Sequence, residues 1–307
     1  MNTDPSVTYV NFDDPNFLVV CTPKNVILDK IPEYETVSFL SGGPFILSAF
    51  FNGTLATVVQ SETPPYTPFF LLLYQQSSGI FMKSVEFPSR ILGIRANSNI
   101  FFVSLENAIQ AYDIGTSKAL STIDRKSTKG LFAFSQVFLA WPNDETPGKV
   151  LIAKLPEFSV VFNIQCHSGP IKSLCFSQDS KYLITASHKG TIIRVFSTET
   201  GEKVKEHRRG FTKGDIVCMD CCQDYVCVCS TQSIHLFNKE GKHLLASIDS
   251  PPLSCRLQPP NILVASENGR LSVFRSDFPE GLLEIITQHR LLPSFPIGSN
   301  RHRRITL

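Results

Sequence analysis

The chain has 307 residues, with 29 Lys and Arg against 27 Asp and Glu for a formal net charge of +2, and is 42% hydrophobic and 18% charged. So much apolar surface builds a core and excludes global disorder, while a charge of +2 gives no long-range field and excludes a protein that coats nucleic acid. At about 150 residues per domain the length allows two domains, but all-β sandwiches, barrels and propellers run longer as single units.

In chain order the predicted elements are all short strands. They begin with Val7–Val10, Phe17–Cys21, Asn25–Leu28, Thr36–Leu40, Phe45–Phe51 and Leu55–Val59. The apolar run Phe69–Tyr74 is strand-sized, and Ile100–Ser104, Ala108–Asp113, Val150–Leu155 and Ser159–Ile164 follow. The last third is clearest, with Ile171–Phe176, Tyr182–Ser187, Thr191–Ser197, Ile216–Cys221, Tyr225–Cys229 and Ser233–Asn238. Val, Ile, Phe and Cys fill these runs, and Gly, Asn, Asp and Pro punctuate them. No window carries a sustained helical stripe, so the fold class is all-β.

Stacking the segments exposes a repeat. Phe176–Val204 runs strand, polar turn, strand, Gly turn, strand, and Cys221–Leu244 and Leu257–Asp277 keep that order. A period of about 40 residues built from strands and turns is the pattern of propeller blades. A single blade leaves its faces wet, so neighbours must cover it. The spacing predicts a single seven-bladed β-propeller over residues 1–292, with blades at 5–38, 39–86, 87–125, 126–165, 166–208, 209–250 and 251–290. Residues 293–307, ending in the basic run Arg301–Arg304, read as a flexible tail.

The nine cysteines are an odd number without a scaffold spacing, which argues against a disulfide framework. The first residues show no basic and apolar leader pattern, and no run approaches the roughly 18 apolar residues of a membrane span. A protein of the reducing cytoplasm is expected. Cys218, Cys221, Cys222, Cys227 and Cys229 invite a zinc reading. However, Cys227 and Cys229 alternate with valines as small apolar strand residues, and no metal is expected. His167, His188 and His235 lack any nucleophile or phosphate-loop signature around them, so neither an enzyme nor a cofactor is expected.

The segment Ala186–Gly210 carries the binding chemistry. Arg208 and Arg209 end a strand before Gly210, and adjacent side chains on a strand point to opposite sides, so the two arginines serve two pockets. A guanidinium is a planar fork suited to phosphate oxygens. Ser187, Lys189, Thr191 and Arg194 surround the turn at Gly190, and Ser230, Thr231, Ser233 and His235 occupy the matching turn of the next blade. Hydroxyls with charged donors can wrap a phosphorylated polyol.

The Arg208-Arg209-Gly210 motif, the preceding stretch Ser187–Phe196 and the strand Ile234–Phe237 closely resemble the PROPPINs, seven-bladed WD-repeat-like propellers that bind polyphosphoinositides in autophagy. Glu106–Ile114, Trp141–Ile152 and Cys166–Ser187 are similar to blades three, four and five of that family. The match is highly specific over 167–210 and loose before residue 125.

The resemblance implies two headgroup sites. Site one would use His167, Ser187, Thr191, Arg194 and Arg208; site two would use Arg209, Thr212, Lys213, Ser230, Ser233 and His235. It implies phosphatidylinositol 3-phosphate and 3,5-bisphosphate as ligands, on phagophore, endosomal or vacuolar membranes. The implied partner is a protein of the autophagy lipid-transfer or conjugation machinery, met by the Pro-rich segment Ser61–Tyr74, and the chain would act as a monomer with no nucleic acid bound. This sequence departs from the family in having His207 before the arginines and Ser233 where Thr is common. In blade six, Phe237–Leu245 is only a hairpin turn in place of a long, partly hydrophobic loop. Its Lys239, Lys242 and His243 could touch headgroups, and the hairpin offers no apolar anchor. A WD-repeat scaffold without lipid binding is the alternative from another class.

Overall fold

The computed structural model describes residues 7–41, 43–61, 67–78, 80–126, 129–275, 283–291 and 304–306. Among them there is no helix, and the strands group into seven sheets, each built on four consecutive antiparallel strands and the first joined by a fifth from the C-terminal segment, the blades of a seven-bladed β-propeller. The seven-bladed all-β fold is therefore as expected, although the strand Glu35–Ser41 crosses the boundary drawn between the first two blades at residue 38. Blade five consists of Ile171–Phe176, Tyr182–Ser187, Ile192–Ser197 and Lys203–Arg208; blade six of Ile216–Cys221, Tyr225–Ser230, Ser233–Asn238 and His243–Ser247. Blade seven begins with Pro252–Gln258, Asn261–Ser266 and Arg270–Arg275.

The chain forms two compact units. Residues to Gly130 make the first, together with Glu267–Arg270 and the segment from His289; Leu131–Ser266 and Leu271–Gln288 make the second. In the first unit Leu71 and Leu73 of blade two pack with Ile94, Val103 and Leu105 of blade three. In the second, Ile184, Ala186, Ile193 and Val195 of blade five pack with Ile216, Val226, Val228 and Phe237 of blade six. The opposite face of blade six, with Cys227, Cys229, Ile234 and Leu236, packs on Cys255, Leu257, Ile262 and Val264 of blade seven. Each core is thus shared by two sheets, and burying such a side chain is worth about 1.5–3 kcal/mol. Period-two alternation sends one set of residues to each neighbour.

The fourth strand is the most exposed one in several blades, although Leu40 and Leu244 are buried on those of blades one and six. In Ile80–Glu86 only Val85 is less than exposed, and Ile80 is 62% accessible, so this strand lacks the alternation that marks its neighbours. At the other end of the chain Arg304–Thr306 pairs in parallel with the strand Glu35–Ser41. The rest of the predicted tail (293–303 and 307) and residues 62–66 of the Pro-rich segment lie outside the described residues.

Candidate functional site

Strand register sorts the predicted residues by face. Arg194 is opposite Thr185 and Glu206, and Ile192 is opposite Arg208, so Arg194, Glu206 and Arg208 share one face of blade five. Ser187 ends the strand Tyr182–Ser187 beside that pair, and His167 reaches the same face, its Nε2 lying 3.0 Å from the Thr185 hydroxyl. His207 and Arg209 alternate to the other face. His207 stacks on Phe237 of blade six with centroids 4.7 Å apart. Adjacent arginines therefore point to different faces of blade five, as the pleat requires.

On the first face the cations differ in state. Arg194 donates Nε to Glu206 at 2.9 Å and Nη1 to the Cys166 carbonyl at 2.7 Å. Arg194 and then Lys203 hold the Glu206 carboxyl below its usual pKa. His167 is pushed down to about 4 by burial, with Arg194 adding to the effect, so it is a neutral hydrogen-bonding group at neutral pH. Arg208 is exposed and, among the described residues, has no carboxylate partner; its guanidinium lies 5.2 Å over the ring of Phe211. Phe211 itself is 87% accessible, far more than any other large apolar side chain described.

On the second face Arg209 is held in a cradle of carbonyls. Nε donates to Gly190 at 2.6 Å and Nη2 to Thr212 at 2.8 Å, while its backbone N–H donates to Thr191. Gly190 has φ +65°, which favours glycine, and a Cβ there would run into the Gly214 carbonyl. A Cβ on Gly214 would in turn strike the Arg209 guanidinium. Two glycines thus let the turn of blade five and the approach to blade six close around one side chain. Neutral carbonyls leave the guanidinium charge uncompensated, and Nη1 has no protein acceptor among the described residues. Thr212 and Lys213 are exposed at the rim.

Behind Arg209 runs a polar chain on blade six. The Ser230 and Ser233 hydroxyls are 2.8 Å apart, Ser233 Oγ is 2.9 Å from His235 Nε2, and His235 Nδ1 is 2.8 Å from His243 Nε2. Burial first, and then His243, pushes His235 down to about 4. His243, expected from the sequence at the headgroup surface, instead supports His235. Lys239 pairs with Asp224 at 2.9 Å, and Lys205 bonds the Asn238 and Lys239 carbonyls, so the blade-six hairpin is clipped down.

The structure thus groups Ser187, Arg194, Arg208 and His167 on one face, and Arg209, Ser230, Ser233 and His235 on the other. Thr191, assigned by resemblance to site one, is bonded through its backbone to Arg209 and has a buried side chain. Sequence reasoning missed Glu206, Phe211 and Gly214. Phe211 follows Arg-Arg-Gly directly, and an aromatic residue in a polar turn was the signal available.

Among known proteins, the family model described as PROPPIN matches residues 41–254. The chain is 31% identical over 240 residues to Autophagy-related protein 18 of Dictyostelium discoideum, covering 75% of this chain and 64% of that protein. It is 30% identical over 208 residues to WD repeat domain phosphoinositide-interacting protein 1 of Homo sapiens, covering 64% of this chain and 45% of that protein. The chain thus spans less than two thirds of the length of either relative. The crystal structure of Kluyvelomyces marxianus Hsv2 superposes with a TM-score of 0.82 at 20% identity, covering 94% of this chain and 100% of that chain, a likeness of fold.

Proposed function

The chain belongs to the PROPPIN family, and from that premise we propose that it is a non-enzymatic phosphoinositide effector that binds membranes peripherally and recruits autophagy proteins to them. The observation that carries this reading is the placing of Arg208 and Arg209 on opposite faces, each without a carboxylate partner among the described residues. The ligands that fit are phosphatidylinositol 3-phosphate and 3,5-bisphosphate, whose headgroups carry phosphates spaced around a polyol. Arg208, Ser187 and His167 serve one headgroup; Arg209, Ser233 and Ser230 serve the other, with Thr212 and Lys213 at its rim. Two modest sites on one body gain avidity when both ligands lie in the same membrane.

Phe211 supplies the apolar contact that the blade-six hairpin lacks. It is exposed between Arg208 and Lys213, so a headgroup held by Arg208 brings the ring to the bilayer surface. Once Arg208 turns to a phosphate, its hold on the ring is released to the acyl boundary. The reading places the protein on phagophore, endosomal or vacuolar membranes.

The test is flotation of the purified chain with neutral vesicles containing phosphatidylinositol 3-phosphate, its 3,5-bisphosphate, or neither. Binding that requires a phosphoinositide and disappears in the Arg208→Thr, Arg209→Thr double variant supports the proposal. Failure to bind any vesicle at low salt sinks it and leaves a protein scaffold.

A further inference from the structure

The structure brings together a set of cysteines that the lipid-binding reading does not use. Cys218 and Cys229 are direct partners across the first two strands of blade six. Cys227 lies two residues before Cys229 on the same face, its sulfur 3.9 Å from that of Cys229. Cys255 enters from the first strand of blade seven, and the sulfurs of Cys218, Cys229 and Cys255 all lie within 4.8 Å of one another. Strand parity explains the membership. Cys221 points to the other face, into the core shared with blade five, and it is Cys255, from the next blade, that completes the set.

We propose that Cys218, Cys227, Cys229 and Cys255 form a site for one thiophilic metal ion of the zinc type between blades six and seven. A tetrahedral zinc–thiolate centre has bonds of about 2.3 Å, which place its sulfurs roughly 3.8 Å apart. The sulfurs of Cys218, Cys229 and Cys255, all within 4.8 Å of one another, need only small side-chain movements to reach that spacing, and Cys227, already 3.9 Å from Cys229, is the fourth donor that would turn toward the ion. The donor set is all sulfur, which selects soft or borderline ions over magnesium or calcium. The positions are fixed by three strands of two packed sheets, so binding does not have to order a loop. Cys227 and Cys229 are fully buried and Cys255 nearly so, while Cys218 is partly exposed and gives the ion its way in.

Each thiol that binds releases its proton, so four thiols and a divalent ion give a centre of charge −2 and four free protons. The surroundings are Leu257, Ile262 and Val264, which offer that charge little solvation. Affinity is therefore expected to rise with pH as the thiol protons become easier to lose. The ion would tie blade six to blade seven and add its binding energy to the fold.

The experiment uses the full chain, purified under reducing conditions from zinc-containing medium. Metal analysis should find about one zinc per chain. After chelation, addition of Co2+ should give the intense sulfur-to-cobalt charge-transfer band and tetrahedral ligand-field bands, with protons released. Cys255→Ser should lose the charge-transfer intensity or weaken uptake at least tenfold, and Cys227→Ala provides a second readout should Cys255→Ser fail to fold. Circular dichroism and lipid flotation report whether each variant is folded. A reduced, folded parent that contains no zinc and takes up no Co2+ through sulfur overturns the proposal. So does a Cys218–Cys229 disulfide that survives the reducing purification.

Discussion

Gly214→Ala tests whether the position of Arg209, and not just its charge, makes site two. Gly214 has a backbone conformation that alanine accepts, but the added methyl would occupy the place of the guanidinium. The flexible end of a side chain is what has to move, so the fold survives. Arg209 then gives up its bonds to Gly190 and Thr212, at 2.6 and 2.8 Å. Hydrogen bonds from a charged group contribute about 1.5–3 kcal/mol each when formed in the protein, but a displaced, half-exposed guanidinium recovers water. A net loss of about 1–2 kcal/mol in stability follows, a fall in Tm on the order of a few degrees. Binding also loses preorganisation, which is worth about 0.5–1.5 kcal/mol for one immobilised side chain, or roughly two- to tenfold at site two. Vesicle titration of the parent, Gly214→Ala, Arg209→Thr and the double variant forms a thermodynamic cycle. The alanine should weaken binding in the parent and add nothing in the Arg209→Thr background. A folded Gly214→Ala protein that binds as the parent does would refute the cradle argument.

Three further outcomes are expected. Phe211→Ala should weaken vesicle binding about tenfold, because an aromatic side chain moved partly out of water contributes on the order of 1–2 kcal/mol, while binding of a soluble headgroup stays unchanged; equal binding to vesicles would remove Phe211 from the membrane contact. Glu206→Gln frees Arg194 from its carboxylate and removes a negative charge beside site one, so headgroup affinity should rise several-fold; a fall would show that the Arg194–Glu206 pair is itself part of the site. His207 is held down to about 4 by burial and then Lys205, below its unfolded value of about 6.5. The unfolded chain therefore takes up the proton first, and the stability that neutral His207 lends at pH 7 is lost as pH falls from 6.5 toward 4. At pH 5 this amounts to at most about 2 kcal/mol, less whatever solvent screening removes. His207→Phe keeps the stack on Phe237, so its Tm should fall less than the parent's between pH 7 and pH 5. Using the difference cancels the opposite trends of Asp29 and Asp220, whose pKa values burial raises to about 6 and about 7. Parallel acid profiles would contradict the assignment.

The inner three strands of most blades were legible because burial on both sides of a sheet writes itself as unbroken Val, Ile, Leu, Phe and Cys. Tyr225–Ser230 is the plainest case. Of the fourth strands only Glu35–Ser41 and Ser159–Gln165 were found, since others such as Ile80–Glu86 and Glu284–Arg290 are exposed on both faces and carry no period. At the site, the division of Arg208 from Arg209 followed from strand geometry alone. The engagement of Arg194 by Glu206 did not, because cross-strand register depends on the bulge between Val195 and Phe196. The carbonyl cradle of Arg209 was also hidden, since Gly190 and Gly214 are 24 residues apart in sequence and meet only through packing. The cysteines show the same limit. Neighbours in sequence suggested Cys221 and Cys222, whereas the sheets select Cys255 from the following blade.

The central claim is that two neighbouring arginines serve two separate headgroups. Titration calorimetry with soluble short-chain phosphatidylinositol 3-phosphate tests it most directly. The account predicts two equivalents for the parent, one for Arg208→Thr, one for Arg209→Thr, and none for the double variant. A single equivalent for the parent, abolished by either substitution alone, would mean one shared site and would contradict it.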